Sequence, residues 1–182
     1  MITSICVSTW NYQKCPTLRS AEVATPWGMA LVVMHEEAIV EWWFASREAS
    51  KAALLRRWPD AHWVEDDAEV KETVRAIFDR DRSLNLKLCL KGTNFQISVW
   101  KALMSIHFGE VTTYQAVAKA IGRPTAVRAV ANAIGQNPIS WLIPCHRIVH
   151  SDGRLGGYRW GVNIKKRLLH DEKFLSNLPL NF

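Results

Sequence analysis

The chain has 182 residues, of which 48% are hydrophobic and 22% charged, and its net charge is +6 at pH 7. This composition excludes a disordered chain, and the length allows one ample core or two small ones. Residues 1–92 carry 12 Lys+Arg and 13 Asp+Glu, net −1, whereas residues 93–182 carry 11 and 4, net +7. A basic half of this kind favours a polyanionic partner, with nucleic acid the leading candidate. The alternative is a basic surface that serves solubility alone.

The first residues, MITSICVSTWNYQK, contain neither the basic start nor the long apolar stretch of a signal peptide. We therefore expect a cytoplasmic protein. In that compartment reduced thiols are expected, rather than two disulfides, for the four cysteines, Cys6, Cys15, Cys89 and Cys145. A zinc site would have to gather ligands from distant positions such as Cys6, Cys15 and His35, because no C-x-x-C pattern is present.

The first half of the chain predicts a small α/β domain. Residues 23–45 contain two β-rich apolar runs around the polar sequence HEE, which predicts a hairpin or meander. Two amphipathic helices and a short strand are predicted next, at 47–58, 66–81 and 84–92. Gly92 marks a predicted boundary between an N-terminal α/β structural domain with an antiparallel sheet, 1–92, and a mainly helical C-terminal domain, 93–182.

The second half predicts helices joined by short turns. Residues 93–106 open with Thr93 and Gln96 in capping-box spacing, and residues 112–122 open with the same spacing in Thr112 and Gln115. The next helical segment carries one predicted buried stripe, consisting of Ala126, Ala129, Val130, Ala133 and Ile134. Because the two short helices are joined by the sequence GRPT, they predict a helix-turn-helix.

The face of this second short helix opposite the stripe has small side chains around one long cation. Its members are Val127, Arg128, Ala131, Asn132 and Gly135. Such a face can approach a nucleic acid backbone closely. The alternative is an ordinary solvated helix face, but the paired capped helices and the +7 half favour DNA.

Residues 139–150, ISWLIPCHRIVH, place Cys145 between a proline and a histidine. Cysteine is a strong nucleophile, but little of it is thiolate at neutral pH without a nearby base or positive charge. His146 is the candidate base, acting directly or through a bridging water. A carboxylate would then fix the imidazole tautomer, and the downstream candidates are Asp152, Asp171 and Glu172. The alternative is a buried structural thiol beside a surface histidine.

Residues 137–161, NPISWLIPCHRIVHSDGRLGGYRWG, resemble the active-site region of the methylated-DNA:protein-cysteine methyltransferases, also called O6-alkylguanine-DNA alkyltransferases. The hallmark of that family is Pro-Cys-His-Arg after an apolar run, and it is intact here at residues 144–147. The resemblance extends through most of the C-terminal half. Arg159 and Trp160 stand where many relatives carry small residues, and here the sequence is similar to the catalytic domain of the bacterial adaptive-response alkyltransferases.

The resemblance implies direct DNA repair. A methyl or other alkyl group would move from O6 of guanine, and also from O4 of thymine, in double-stranded DNA to Cys145. An alkyl group on O6 lies within the base stack, so a thiol in a protein pocket reaches it only if the nucleotide is flipped out. The product is a stable thioether, so each molecule would act once. The resemblance also implies a monomer that needs no metal and no organic cofactor.

The same resemblance implies roles for other residues at the reacting centre. His146 would act through water as the base, and Glu172 would orient it. Tyr114 would help rotate the nucleotide and protonate guanine N3 as the bond to oxygen breaks. Asn137 would brace the turn between the DNA-binding helix and Cys145.

A base pocket and a DNA-binding surface are also implied by the resemblance. The pocket would include Tyr158, Arg159, Trp160, Ile134 and Ile148, and the carbonyls of Cys145 and Ile148 would accept the guanine amino group. We expect Trp160 to narrow the pocket and so to favour methyl over large groups such as benzyl. The DNA contacts would be Tyr114, Gln115, Arg123, Ala131, Ser151 and Arg128, the last filling the gap in the base stack.

Three other classes of protein are distinguishable from this one. A non-catalytic helix-turn-helix protein, whether regulatory or lesion-binding, would not need Pro-Cys-His-Arg. A lesion-binding relative would carry tryptophan or alanine in place of Cys145. A cysteine hydrolase would turn over and form product in excess of protein.

Overall fold

The structure is a computed structural model that describes residues 4–10, 15–64, 67–79 and 84–176. The chain forms two compact units, of which the first ends at Lys91 and the second begins at Gly92. Gly92 passes so close to the Trp100 ring that an added Cβ would lie 2.7 Å from two ring carbons. A glycine at the start of the second unit is therefore a steric requirement.

The first unit is a six-stranded sheet with two helices. In sheet order β1-β6-β4-β3-β2-β5, the strands are Ser4–Thr9, Asn85–Leu90, Ala38–Trp43, Gly28–His35, Thr17–Thr25 and His62–Val64. Neighbours β2, β3 and β4 pair antiparallel, whereas β1, β5 and part of β4 pair in parallel with β6 or β2. The helices are α1, Arg47–Arg57, and α2, Ala68–Phe78.

The two central strands explain how this unit forms its core. In β3 five consecutive residues from Ala30 to Met34 are buried, and in β4 five from Ile39 to Trp43. Continuous apolar runs of this kind are typical of strands covered on both faces. The hairpin predicted around His35 and the predicted α/β class are confirmed, and the parallel pairings and β1, β2 and β5 extend the sheet beyond that prediction.

One buried acid ties β4 to the end of α1. Glu41 is fully buried, and its carboxylate accepts hydrogen bonds from the indoles of Trp43 and Trp58, both at 2.9 Å, and from Arg57. Arg57 also donates to the Lys91 carbonyl at 2.6 Å. Because three side chains donate to this one carboxylate, loss of the acceptor would leave buried N–H groups unsatisfied.

We predict that Glu41→Gln lowers the free energy of unfolding by about 2 kcal/mol, because the amide turns an N–H₂ toward donors that need an acceptor. Urea unfolding followed by circular dichroism measures the change. The matched control is Glu37→Gln, since the Glu37 carboxylate is 73% exposed in its pair with Lys87. A Glu41→Gln protein as stable as the Glu37→Gln control would contradict this account.

The second unit is mainly helical. Its helices are α3, Asn94–Leu103, α4, Tyr114–Ala120, α5, Val127–Gly135, and α6, Val162–Ser176. Two short strands, β7, Thr112–Thr113, and β8, Ile148–Val149, pair in parallel. The helices α4 and α5 pack together across a short turn, as the predicted helix-turn-helix requires. Trp100 of α3 is fully buried and donates its indole N–H to the Ala133 carbonyl at 2.7 Å.

The two predicted helix caps have different outcomes. The capping box of Thr93 and Gln96 is present, with both reciprocal hydrogen bonds. The second prediction was wrong by one residue: Thr113, and not Thr112, caps α4 and accepts the Ala116 N–H at 3.2 Å. Thr112 lies in β7, where it pairs with β8. The two adjacent threonines carry the same local signal, and both also pair with β8.

The predicted stripe on α5 is partly correct. Val130, Ala133 and Ile134 are buried, but Ala129 is exposed and Ala126 precedes the helix as its N-cap. The buried face is therefore narrower than the pattern indicated. On the opposite face Arg128 is exposed, as predicted for a cation that faces solvent or a ligand.

Two kinds of feature are absent from the part of the chain that the structure describes. None of its helices is both long enough and apolar enough to cross a membrane. No three of its His, Cys, Asp or Glu side chains lie together in a way that could hold a metal ion, so Cys6, Cys15 and His35 do not form the zinc site considered above. All four cysteines are free thiols.

Candidate active site

Cys145 begins a single 3-10 turn, Cys145–Arg147, that follows α5 and a short irregular segment. Its backbone N–H donates to the Ile143 carbonyl at 2.7 Å, and the residue is only 7% exposed. Pro144 precedes it with φ fixed by the ring. The thiol is therefore held at a defined position in the interior of the second unit.

Asn137 fixes the segment that leads to this turn. The residue is buried, and its side-chain N–H₂ donates to the Ile143 carbonyl at 2.8 Å and to the Cys145 sulfur at 3.1 Å. Its side-chain oxygen accepts the Ile139 N–H at 3.1 Å. These contacts correspond to the bracing role predicted for Asn137 and add a direct contact with the sulfur.

His146 and Arg147 share one carboxylate. His146 is fully buried, and its Nε2 lies 2.8 Å from Oε1 of Glu172 on α6. Arg147 donates to both oxygens of the same carboxylate, from Nε at 2.9 Å and from Nη2 at 2.8 Å. Its Nη1 donates to the Ile106 carbonyl at 2.7 Å. Of the three candidate carboxylates, Glu172 is the one beside His146, whereas Asp152 pairs with Arg154 and Asp171 with His170.

The charge state of Glu172 decides which nitrogen of His146 is basic. Burial alone raises the pKa of Glu172, but hydrogen bonds from His146 and Arg147 outweigh it and lower the pKa to about 2. An ionised carboxylate only accepts hydrogen bonds, so Nε2 of His146 carries the proton. Nδ1 is then the unprotonated nitrogen, and it is buried without a hydrogen-bond partner among the described residues.

The thiol requires a base because its surroundings disfavour the thiolate. Burial raises the pKa of Cys145, although Asn137, Tyr158 and Lys165 oppose that effect. Burial also lowers the pKa of His146, so the imidazole is neutral at pH 7 and able to accept a proton. A neutral thiol followed in sequence by a neutral imidazole is suited to proton transfer during the reaction, directly or through a water, and not to a permanent thiolate.

A pocket of about 370 Å³ opens onto the Cys145 thiol. This volume is near the lower end of the range for small-molecule sites. The walls come from α4, α5 and the segments on either side of the 3-10 turn, and they consist of Tyr114, Ala131, Ile134, Gly135, Asn137, Ser140, Cys145, Gly157, Tyr158 and Arg159. The second helix of the predicted helix-turn-helix, α5, is therefore also a wall of the pocket.

Two tyrosines bring phenol groups to this pocket. Burial raises the pKa of Tyr114, and the nearby Cys145 raises it further. The Tyr158 hydroxyl is buried without a hydrogen-bond partner of good geometry among the described residues, and burial raises its pKa well above the usual value. Both phenols are therefore protonated at neutral pH, and each can serve as a hydrogen-bond donor.

Trp160 and the side chain of Ile148 do not line the pocket. The Trp160 indole donates to the Ser140 hydroxyl at 2.6 Å, so it supports a lining residue from behind. The Arg159 guanidinium lies over the Trp160 ring, 4.7 Å from its centre. The Ile148 carbonyl accepts a hydrogen bond from Lys165 at 2.5 Å, although a carbonyl oxygen has a second lone pair for another donor.

The residues predicted to contact DNA lie mainly on the surface. Gln115, Arg123, Arg128 and Ser151 are exposed, and Ala131 is half-buried at the pocket wall. Gln115 is on α4, Arg123 is in the turn before α5, and Arg128 is in the first turn of α5. Three elements of the helix-turn-helix thus present polar side chains to solvent.

Lys165 was missed by the sequence analysis. It is 1% exposed, and its ammonium donates to the carbonyls of Ile148 and Leu155 and lies 3.5 Å from that of Gly157. Burial lowers its pKa to about 8. Lys165 therefore holds the loop before α6 in place. The available signal was its spacing, since Lys165, Leu168, Leu169 and Glu172 recur at i, i+3, i+4 and i+7 on one buried helix face.

We predict that Glu172 makes stability dependent on acid pH. Its pKa falls from an ordinary 4.5 to about 2 on folding, so its contribution of about 3 kcal/mol is complete above pH 4.5 and is lost as pH falls toward 2. Urea unfolding between pH 7 and pH 3 should show a steeper loss in the wild type than in Glu172→Gln. Asp171→Asn, one residue earlier on α6, is the control and should keep the wild-type slope. Equal slopes in all three proteins would contradict the prediction.

Comparison with known proteins gives a family match that lies within the second unit. A family model described as 6-O-methylguanine DNA methyltransferase, DNA binding domain, matches residues 94–174. The regulatory protein Ada of Salmonella typhimurium is 48% identical over 131 residues, which cover 70% of this chain and 37% of that protein. The chain thus spans little more than a third of the length of this relative.

In two further comparisons the match covers most of the length of the related protein. A methylated-DNA–protein-cysteine methyltransferase of Methanosarcina barkeri is 47% identical over 117 residues, which cover 62% of this chain and 74% of that protein. The crystal structure of Mycobacterium tuberculosis OGT in complex with DNA matches with a TM-score of 0.68 and 33% identity, covering 87% of this chain and 93% of that one. The resemblance first seen around Cys145 is confirmed, and the chain belongs to the methylated-DNA–protein-cysteine methyltransferase family.

Proposed function

We propose that this protein repairs alkylated DNA by moving an alkyl group from O6 of guanine to Cys145. One observation carries the proposal: the Cys145 thiol opens onto a base-sized pocket, and the next residue, His146, is buried and held by Glu172. A thiol and a neutral imidazole oriented by a carboxylate are the parts that nucleophilic attack by cysteine requires. Family membership and the DNA-bound relative support DNA as the partner.

We infer that the nucleotide leaves the double helix to reach the pocket, and the burial of Cys145 supports this step. Cys145 is almost completely buried, and the stacked bases of a duplex cannot enter a pocket behind α5. Ala131 and Gly135 keep this helix face small, which allows close approach of the backbone. The exposed Arg128, on the same helix, would fill the space that the flipped base leaves. Gln115, Arg123 and Ser151 would contact the flanking DNA.

The chemistry is a displacement at the alkyl carbon. The thiol proton moves to Nδ1 of His146 through a bridging water while sulfur attacks the carbon, so that the S–C bond forms and the C–O6 bond breaks. Glu172 stabilises the resulting imidazolium. Tyr114 gives its proton to guanine N3 and is reprotonated from solvent, so that a neutral guanine leaves. The alkyl thioether has no acidic proton and stays on Cys145, so each protein molecule acts once.

Several parts of the proposal go beyond what the family name implies. We infer that O4 of thymine is a second target, that the protein acts as a monomer on double-stranded DNA, and that 93–182 is the DNA-binding and acceptor domain while 1–92 is structural. The predicted cytoplasmic location and the absence of a cofactor stay predictions. The chemistry above uses only groups of this chain, the DNA and water.

We predict that Cys145→Ala abolishes transfer of the alkyl group while its affinity for duplex DNA stays close to the wild-type value. The sulfur is the acceptor, whereas DNA binding depends on other residues. Transfer is measured with DNA that carries a labelled O6-methylguanine, and affinity by fluorescence anisotropy. Cys89→Ala, which removes another buried free thiol, is the matched control and should react like the wild type. Unchanged repair by Cys145→Ala would leave only a DNA-binding function.

We predict that Trp160 limits the size of the alkyl group. Trp160→Gly removes the indole behind Ser140, so inactivation by O6-benzylguanine should become about tenfold faster relative to methylguanine. Trp160→Phe keeps most of the bulk and should retain the wild-type preference for methyl. Rates are obtained from the fraction of reactive Cys145 that remains with time. Comparable wild-type rates for methyl and benzyl substrates would show that Trp160 sets no limit.

A further inference from the structure

The ring of Tyr114 rests against a histidine that has no role in the mechanism above. The rings of Tyr114 and His150 have centres 5.5 Å apart and are tilted by 53°. The backbone of Gly156 lies close to both side chains. A Cβ at that position would lie 3.1 Å from the Tyr114 hydroxyl and 3.0 Å from Nε2 of His150. Tyr114 is thus bounded by His150 and by the backbone of Gly156.

Strand register brings the two rings together. Thr113 of β7 pairs with Val149 of β8 in a parallel ladder. Tyr114 directly follows β7, and His150 directly follows β8. The parallel pairing of the two strands therefore brings these residues next to each other. This contact is long-range in sequence and depends on that pairing.

The backbone of His150 is itself fixed. Its N–H donates to the Arg154 carbonyl at 2.8 Å, and its carbonyl accepts the Gly153 N–H at 3.0 Å. The Asp152 side chain closes this turn by accepting the Arg154 N–H at 3.0 Å and the Arg154 guanidinium at 2.7 Å. Because these hydrogen bonds fix the turn that carries His150, its ring can support the neighbouring ring of Tyr114.

We propose that His150 is a positioning residue for Tyr114, holding the phenol at the angle from which its hydroxyl reaches the base in the pocket. The inference rests on the proposed function, in which Tyr114 donates a proton to guanine N3. Aromatic pairs of this geometry favour one arrangement by about twofold to tenfold. Together with the nearby backbone of Gly156, this preference would bias Tyr114 toward one orientation. The ring of His150, and not its charge, performs this role.

A double-mutant cycle tests the coupling. At saturating DNA, His150→Ala should slow single-turnover alkyl transfer to Cys145 about fivefold, and His150→Phe should restore the rate to within about twofold because it keeps the ring. In a Tyr114→Ala background, His150→Ala should have no further effect. His170→Ala, which removes an exposed histidine ring on α6, is the control and should react at the wild-type rate.

Two measurements separate this inference from its rivals. The resonances of the Tyr114 ring in DNA-free protein, identified by their loss in Tyr114→Ala, should shift in His150→Ala and stay near wild type in His150→Phe. Unshifted resonances in His150→Ala would overturn the inference. Equal slowing by His150→Ala in both backgrounds, together with weaker binding to undamaged duplex, would instead make His150 a DNA contact. A wild-type protein that never alkylates Cys145 would overturn the proposed function, and the ring resonances would still report whether His150 holds Tyr114.

Discussion

The carboxylate of Glu172 is the constraint on which the site depends. It joins α6 to the 3-10 turn by accepting from His146 and from two nitrogens of Arg147. Because Glu172 is ionised, it assigns the proton of His146 to Nε2 and makes Nδ1 the base. Burial raises the pKa of Cys145, so the thiol cannot ionise unaided. A buried thiol with a raised pKa, reactive only with an assisting base, would suit the proposed single transfer, because the acceptor would stay unreacted until DNA is bound.

The polar contacts around this carboxylate extend to the pocket walls. Asn137 holds the segment before Cys145, and Lys165 holds the loop after it by donating to backbone carbonyls. Both side chains are buried, and satisfied buried polar groups specify one arrangement of the chain. The pocket is therefore a product of the same contacts that place the nucleophile. Tyr114 is the exception, since its position depends on the β7–β8 pairing and on His150.

Local signals predicted the second unit better than the first. The capping box at Thr93 depends on residues three positions apart, and the structure contains it. The cap prediction at Thr112 was wrong by one residue, because two adjacent threonines carry the same local signal and both also pair with β8. The parallel strands at the edges of the sheet were missed because their partners lie far away in sequence. Pro-Cys-His-Arg predicts Cys145 as the nucleophile and His146 as the base, and these roles stay predictions. The residues alone left three carboxylates open, and the fold brings Glu172 to His146.

The most direct test of the account is to incubate the protein with excess DNA that carries isotopically labelled O6-methylguanine and to locate the label by peptide mass spectrometry. The account predicts one labelled methyl group per protein molecule, attached to the peptide that contains Cys145, with repair ending when that one equivalent is reached. Label on no cysteine, or repair that continues beyond one lesion per molecule, would contradict it.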